Sequence, residues 1–211
     1  MQFVGTMRII IRYLLSVCTF LAAENILCQN TSVFQHSIGE YFQGGVIYHL
    51  WIGDDGKEHG LIASLRNLDT NCVWGLDCSD VEEFEKNSYG PASLKDGALN
   101  TYRIVNLSKH KYGAPKTCYT SRENGYNDWY MPSILELVLL LENAGLINRT
   151  AEKVGQHDKI VPALYMSSSD CAGSGCTYLG VKLSIYYRLD IIIEHKKISG
   201  KDSFLRAIRK F

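Results

Sequence analysis

Net charge is the first thing this chain lacks. Its 211 residues hold 22 Lys plus Arg against 22 Asp plus Glu, a formal net charge of zero. With no excess of one sign, nothing global draws it to nucleic acid or to an acidic polymer. It has no apolar run long enough to span a bilayer comfortably, so no transmembrane span is expected. Its cysteines form no C-x-x-C pair and no histidine doublet stands near them, which leaves no zinc motif and predicts no bound metal. No G-x-S-x-G elbow surrounds Ser167-Ser168-Ser169, and no glycine-rich phosphate loop lies between a strand and a helix. No internal repeat or low-complexity tract is visible. These absences leave no catalytic constellation and no cofactor.

What is present begins with a leader. Arg8 and Arg12 precede the short apolar run from Tyr13 to Ala23, the layout of a secretory signal peptide. Residues 1–28 are therefore expected to be a signal peptide, cut near Cys28-Gln29, with Met7 an alternative start. A lipoprotein reading through Cys18 or Cys28 lacks the small residues it needs just before the cysteine. Residues 29–211 then form one domain, since 211 residues at 46% hydrophobic and 21% charged are ordinary globular composition.

Export places the remaining five cysteines in an oxidising compartment. Cys72 with Cys78 and Cys171 with Cys176 are the close pairs, and a disulfide in each staples a small loop for about 2 kcal/mol. Cys118 is left over, although the spacing does not prevent it from bonding to one of the others. Two readings stand for it: a thiolate nucleophile near a helix N-terminus, or a buried inert thiol.

Along the chain, Gly44 to Ile52 is rich in β-branched and aromatic residues. It meets Asp54-Asp55-Gly56 and then Gly60 to Ala63, which predicts a β-hairpin. Arg66 to Gly97 shows no sustained period and reads as a long loop. Its acidic patch, Asp80, Glu82, Glu83 and Glu85, lacks the alternating order of a calcium loop and reads as solvated charge. Asn100-Thr101 predicts the cap of a helix carrying Tyr102, Ile104, Val105 and Leu107. A second helix is expected from Pro115 and contains Cys118. The third, from Ile134, carries Leu137, Val138 and Leu141 at helical spacing, with Gly145 available for a left-handed cap. Strands are expected at Ala163–Ser169, Tyr178–Leu183, Tyr186–Ile193 and Phe204–Arg209. The order of strands, helices and strands is α+β.

The densest stretch runs from Asn124 to Ser133. Asn124-Gly125 favours a turn with positive φ, Pro132 pushes Met131 into an extended conformation, and Ser133 with Glu136 has capping-box spacing. Asp128 and Trp129 lie between turn and helix and are expected to be scaffold.

Several segments together resemble one family. They are Gly39-x-Tyr41-x-x-Gly44-Gly45-Val46-Ile47-Tyr48, His59-Gly60-Leu61-Ile62-Ala63 and Asn100-Thr101-x-x-Ile104-Val105. Further on come Cys118, Asn124-Gly125-Tyr126-x-Asp128-Trp129-Tyr130-x-Pro132-Ser133-x-x-Glu136-Leu137, Tyr165-x-Ser167-Ser168-Ser169 and Leu205-Arg206-Ala207-Ile208-Arg209-x-Phe211. Their order and spacing resemble the Lcl C-terminal-domain family, long catalogued as a domain of unknown function, which includes the C-terminal module of a bacterial collagen-like adhesin. The resemblance implies a C-type-lectin-like fold: a mixed, mainly antiparallel sheet whose first and last strands pair, two or three flanking helices, and a long-loop face that binds ligands. Met166, where the family often has tryptophan, Pro115, the strand around Ile191 and the loop Cys171–Cys176 depart from its pattern. The paired signature of calcium-dependent sugar binding does not occur.

The expected function is a secreted, periplasmic or surface-attached recognition module that binds a glycan or an extracellular protein without catalysis. Thirteen tyrosines and three tryptophans supply groups that stack on sugar rings. The expected ligand site is the loop from Asp170 to Tyr178, including Ser174, together with Tyr186, Tyr187 and Arg188. From Lys182 to Phe211 there are eight basic and three acidic residues, so Lys196, Lys197, Arg206 and Arg209 are a second candidate surface, for an anionic glycan. Two other classes remain: a relative of the formylglycine-generating oxidases with redox-active Cys171 and Cys176, and a structural surface component. Asn30, Asn106 and Asn148 head N-x-S/T sites, which matter only in a eukaryotic secretory pathway.

Overall fold

A computed structural model describes residues 33–70, 73–74, 93–107, 113–156, 158–170, 177–186, 188–195 and 203–211. The expected signal peptide, the acidic patch, Ser174, Tyr187, Lys196 and Lys197 lie outside these residues. So do Cys72, Cys78, Cys171 and Cys176, the four cysteines expected to form disulfides. The chain divides into Met1–Gln35 and His36–Phe211, and every element of the fold lies in the second unit.

The strands are β1 (Tyr41–Phe42), β2 (Gly45–Ile52), β3 (Glu58–Ser64), β4 (Leu164–Asp170), β5 (Thr177–Leu183), β6 (Leu189–His195), β7 (Ser203–Phe204) and β8 (Ile208–Lys210). Between β3 and β4 come α1 (Gly97–Leu107), α2 (Ala114–Thr120), a 3-10 turn (Glu123–Gly125), α3 (Ile134–Glu142) and α4 (Ala144–Lys153). One sheet has the order β1-β2-β3-β8 and is antiparallel throughout. The other has the order β6-β5-β4-β7, with β4 and β7 parallel. This is a mixed α+β architecture. Among the described residues no helix is long and apolar enough to cross a membrane.

The opening hairpin forms where Asp-Gly predicts it, with Gly56 at φ +70°. Its register shifts between Ile47/Ile62 and His49/Leu61, so Tyr48 is an extra residue on β2. A bulge of this kind reverses the alternation of side chains beyond it. Val46 and Tyr48 face one apolar cluster and Ile47 the other; past the bulge, Trp51 packs on the first and Leu50 on the second. The first cluster joins the sheet to α3 and α4 through Leu137, Leu140, Leu141 and Ile147. The second surrounds Trp74, Trp129, Met131, Cys118 and Tyr178.

The last strand lies against β3, the second arm of the hairpin, while β1 is an outer strand of that sheet. The expected pairing of first and last strands therefore does not occur between β1 and β8. Two helix boundaries also differ from expectation. α1 begins at Gly97, with Asp96 Oδ1 accepting the Leu99 N–H at 3.0 Å, so Asn100 and Thr101 are not its cap. Both are buried and serve tertiary contacts instead. Asn100 Nδ2 donates to Ser93 O and Ser168 Oγ, and Thr101 Oγ1 donates to Met131 O and accepts from Met131 N. Gly145 does not cap α3. Asn143 ends α3 and begins α4 at φ −96°, ψ 11°, and Gly145 sits inside α4. The expected strand from Tyr186 begins only at Leu189; before it, Ser184 Oγ accepts from the Tyr186 and Arg188 N–H groups, and the Ser184 N–H donates to Arg188 O.

Candidate functional site

Of the residues expected to form a ligand site, Asp170, Tyr178, Tyr186 and Arg188 are described, and they fall at two places along β5. Tyr178 and Asp170 are register partners at one end of β5, whereas Tyr186 and Arg188 lie in the turn beyond Leu183 at the other. Five residue steps of strand carry the chain from Tyr178 to Leu183, about 17 Å. Tyr178 is fully buried, its ring 6.2 Å from Trp74 and nearly parallel to it, so it packs the core and has no face for a sugar. Tyr186 is exposed, and Arg188 pairs with Asp190 at 3.1 Å on the surface.

Among the described residues there is no disulfide. The expected disulfide of Cys72 with Cys78 and that of Cys171 with Cys176 are therefore not part of the described structure, because all four cysteines fall outside it. Cys118 lies in α2, fully buried in the second apolar cluster. Of its two readings, the buried thiol is the one that the structure shows.

The basic C-terminal surface also dissolves for the residues described. Arg209 is 6% exposed and bidentate to Asp128, with both N···O distances 2.7 Å. It stacks on Tyr126 at 4.0 Å and donates to Gln43 through Nη1. Arg206 is 1% exposed and donates to Asp158 O at 3.0 Å. Burial pushes its guanidinium down to about 10. Charge placed this deep meets no ligand at the surface, so neither arginine offers the anionic-glycan contact expected of it.

A different place satisfies the requirement for an accessible aromatic with polar groups around it. The bulge at Tyr48 turns His49 and Trp51 onto one face, and the register sets His59 opposite Trp51. The three rings form a ladder: His49 to Trp51 at 5.7 Å and Trp51 to His59 at 5.6 Å, each pair tilted by 25°. His59 is held from below, since Asp55 Oδ1 is 3.0 Å from its Nε2. That hydrogen bond, with a second from the Lys57 N–H, keeps the Asp55 carboxyl below its usual range. Beside Trp51 the sheet and α3 enclose a groove of about 290 Å³, lined by His49, Trp51 and Leu61 from the sheet and by Leu135 and Leu139 from the helix. Lys95 and Lys210 stand at its polar edge.

Glu136 also borders the groove, but its oxygens are already used. Oε2 accepts from Ser133 N at 2.8 Å, Ser133 Oγ at 2.8 Å and Gly97 N at 3.0 Å. Oε1 accepts from Tyr130 OH at 3.0 Å and lies 3.7 Å from Lys210 Nζ. The carboxylate raises the pKa of both neighbouring phenols, Tyr130 and Tyr48, though burial is the larger cause for each. A carboxylate with this many donors anchors structure.

Sequence reasoning passes over His49, Trp51 and His59 as an ordinary strand and turn. The signal is there in part, since His49 and Trp51 alternate and the Asp-Gly turn brings His59 opposite. The bulge that aims them at α3 has no local signature. The chain matches no protein-family model, no curated protein and no solved structure.

Proposed function

We propose that this chain is an exported, non-catalytic recognition module of the C-type-lectin-like kind, as its resemblance to the Lcl C-terminal-domain family implies, and that it binds a glycan in the groove beside Trp51. The observation that carries the reading is the half-buried indole set between two imidazoles at the mouth of an apolar groove with two lysines at its edge. A pyranose ring stacks its C–H face on an indole while its hydroxyls bond to surrounding polar side chains. The ring ladder limits how far Trp51 can turn, so little rotamer entropy is lost on binding.

The test uses fluorescence. The chain has three tryptophans; Trp74 and Trp129 are 0% and 1% exposed, so ligand-dependent quenching reports on Trp51. Titration with the best binder from a glycan array is expected to quench emission, and Trp51→Ala to weaken binding at least about tenfold, the loss of one stacking contact. A Trp51→Ala protein that folds and binds that glycan unchanged removes the groove from consideration.

Asp55 gives a pH prediction. Its pKa is depressed in the fold, so the contribution of its contact with His59 is present above the ordinary carboxylate range and lost as pH falls through the lowered value. Glycan affinity is therefore expected to hold from pH 7 down to the ordinary carboxylate range, as far as this contact sets it. Asp55→Ala is expected to lower affinity at pH 7 by only about twofold, as suits an exposed contact. A titration series in both proteins checks the sign and the size.

A further inference from the structure

The groove beside Trp51 has walls of unequal chemistry. From β3 it takes Leu61, and from α3 it takes Leu135 and Leu139. These two leucines stand one helical turn apart, and Leu135 is 42% exposed. The solvent side of a surface helix ordinarily carries charged or polar residues. Leucines in that place leave an apolar hollow open to water next to an indole.

The polar edge of the groove is built to donate. Lys95 lies in the segment before α1, whose backbone is fixed against α3. Ser93 Oγ accepts from the Lys95 N–H at 3.2 Å and from the Asp96 N–H at 2.9 Å, and Leu94 O accepts from the Leu135 N–H at 3.1 Å. The Lys95 side chain is exposed and its ammonium has no ion pair among the described residues. Lys210 is placed differently. Its Nζ lies 3.4 Å from Asp96 Oδ1, 3.7 Å from Glu136 Oε1 and 5.6 Å from the centre of the Tyr130 ring. Lys95 therefore has its donors to spare, and a lysine offers three N–H bonds and no acceptor.

Charge and polarity together narrow the sugar. Two ammonium groups meet two carboxylates around this edge, so a carboxylated sugar gains no net field. A sugar with a free amine brings a third ammonium to the two lysines. A plain hexose stacks on Trp51 but turns hydroxyls toward Leu61, Leu135 and Leu139, where they find no partner. A 2-acetamido sugar is neutral, carries a methyl group for the leucines and presents an amide oxygen to the lysine. That last hydrogen bond is charge-assisted. A volume of about 290 Å³ is at the low end for ligand sites, which suits one sugar residue.

We propose that the groove selects N-acetylhexosamines. The pyranose stacks on Trp51, the acetamido methyl packs among Leu61, Leu135 and Leu139, and the acetamido oxygen accepts from Lys95 Nζ. The inference rests on the reading of this groove as a glycan site and names the sugar that it takes.

The experiment titrates the full chain with the methyl glycosides of N-acetylglucosamine and N-acetylgalactosamine. Methyl glucoside, glucosamine and glucuronic acid are the comparisons, and tryptophan emission and amide chemical shifts are the readouts. The acetamido sugars are expected to bind at least about tenfold more tightly than methyl glucoside, the joint effect of one buried methyl and one hydrogen bond. The amides of Trp51, Lys95, Leu135 and Leu139 are expected to shift in a saturable way. Lys95→Met keeps the stem and removes the donor, and Leu135→Gln makes the hollow polar while keeping a good helix former. Both positions are exposed, so the fold is retained. Each variant is expected to cut the preference for the acetamido sugar by at least about threefold and to leave methyl glucoside affinity as it was. Equal binding of acetamido sugars and methyl glucoside overturns the inference and leaves the glycan reading standing, and so does tighter binding of glucuronic acid. An unchanged preference in both variants places the acetamido group elsewhere and overturns it too. No quenching of Trp51 by any sugar, the best binder from the glycan array included, overturns the glycan reading and this inference with it.

Discussion

Glu136→Ala is expected to lower the stability to unfolding by about 3–5 kcal/mol, the cost of removing one partner from a buried charged network. The carboxylate is the point where three segments meet: the N-terminus of α3 through the capping box, the start of α1 through the Gly97 N–H, and the extended segment before α3 through Tyr130. Removing it leaves the Gly97 and Ser133 N–H groups and the Tyr130 hydroxyl buried without their acceptor. An ordinary domain holds about 5–15 kcal/mol in all, so the variant stands near the edge of folding. Urea denaturation checks this, with an unchanged slope expected. Glu142→Ala at the exposed far end of the same helix serves as control and is expected to stay within about 0.5 kcal/mol. A Glu136→Ala protein as stable as that control contradicts the network's role.

The same junction explains why Gly97 is glycine. A Cβ there stands 2.5 Å from Met131 O and 2.5 Å from Ser133 N, backbone atoms that cannot move aside. The N-terminus of α1 therefore approaches the segment Met131–Ser133 closely enough for its own N–H to reach the carboxylate. The effect is geometric; its φ is not in the left-handed region.

How much of this is legible in the sequence follows from how far along the chain each interaction reaches. The capping box spans three residues, and the hairpin is signalled by Asp-Gly between two apolar runs. Both appear where local spacing predicts them. The Asn124-Gly125 turn is local too, with φ of 53° and 82°. By contrast, Arg209 finds Asp128 across 81 residues and Arg66 finds Glu123 across 57. Nothing near Arg206 or Arg209 distinguishes a buried cation from an exposed one, so both read as surface charge. α4 escapes the sequence reading for a different reason. Its buried residues Ala144, Ile147 and Ala151 have helical spacing, but Asn143-Ala144-Gly145 looks like a terminus, and a shared cap residue joins two helices where a break is expected.

Trp129→Ala is the second large effect, expected at about 3–5 kcal/mol for truncating a buried aromatic. The indole is 1% exposed in the cluster that holds Ile47, Ile62, Met131 and Leu205, which belong to four separate segments. Its Nε1 also donates to Glu123 O, so it ties the core to the 3-10 turn. Asp128, one residue earlier, faces outward enough to be 48% exposed and receives Arg209 from β8. The pair thus alternates between core and rim, and the junction is fixed from both sides. Two consequences separate this role from direct ligand contact. Trp129→Phe, which keeps most of the apolar volume but loses the Nε1 donor, is expected to cost about 1–2 kcal/mol, a part of the alanine effect. Glycan affinity at the Trp51 groove is expected to be unchanged in the fraction of Trp129→Phe that is folded, because Trp129 belongs to the other apolar cluster. A Trp129→Phe variant with wild-type stability and no glycan binding contradicts the scaffold assignment and makes the indole part of the recognition surface.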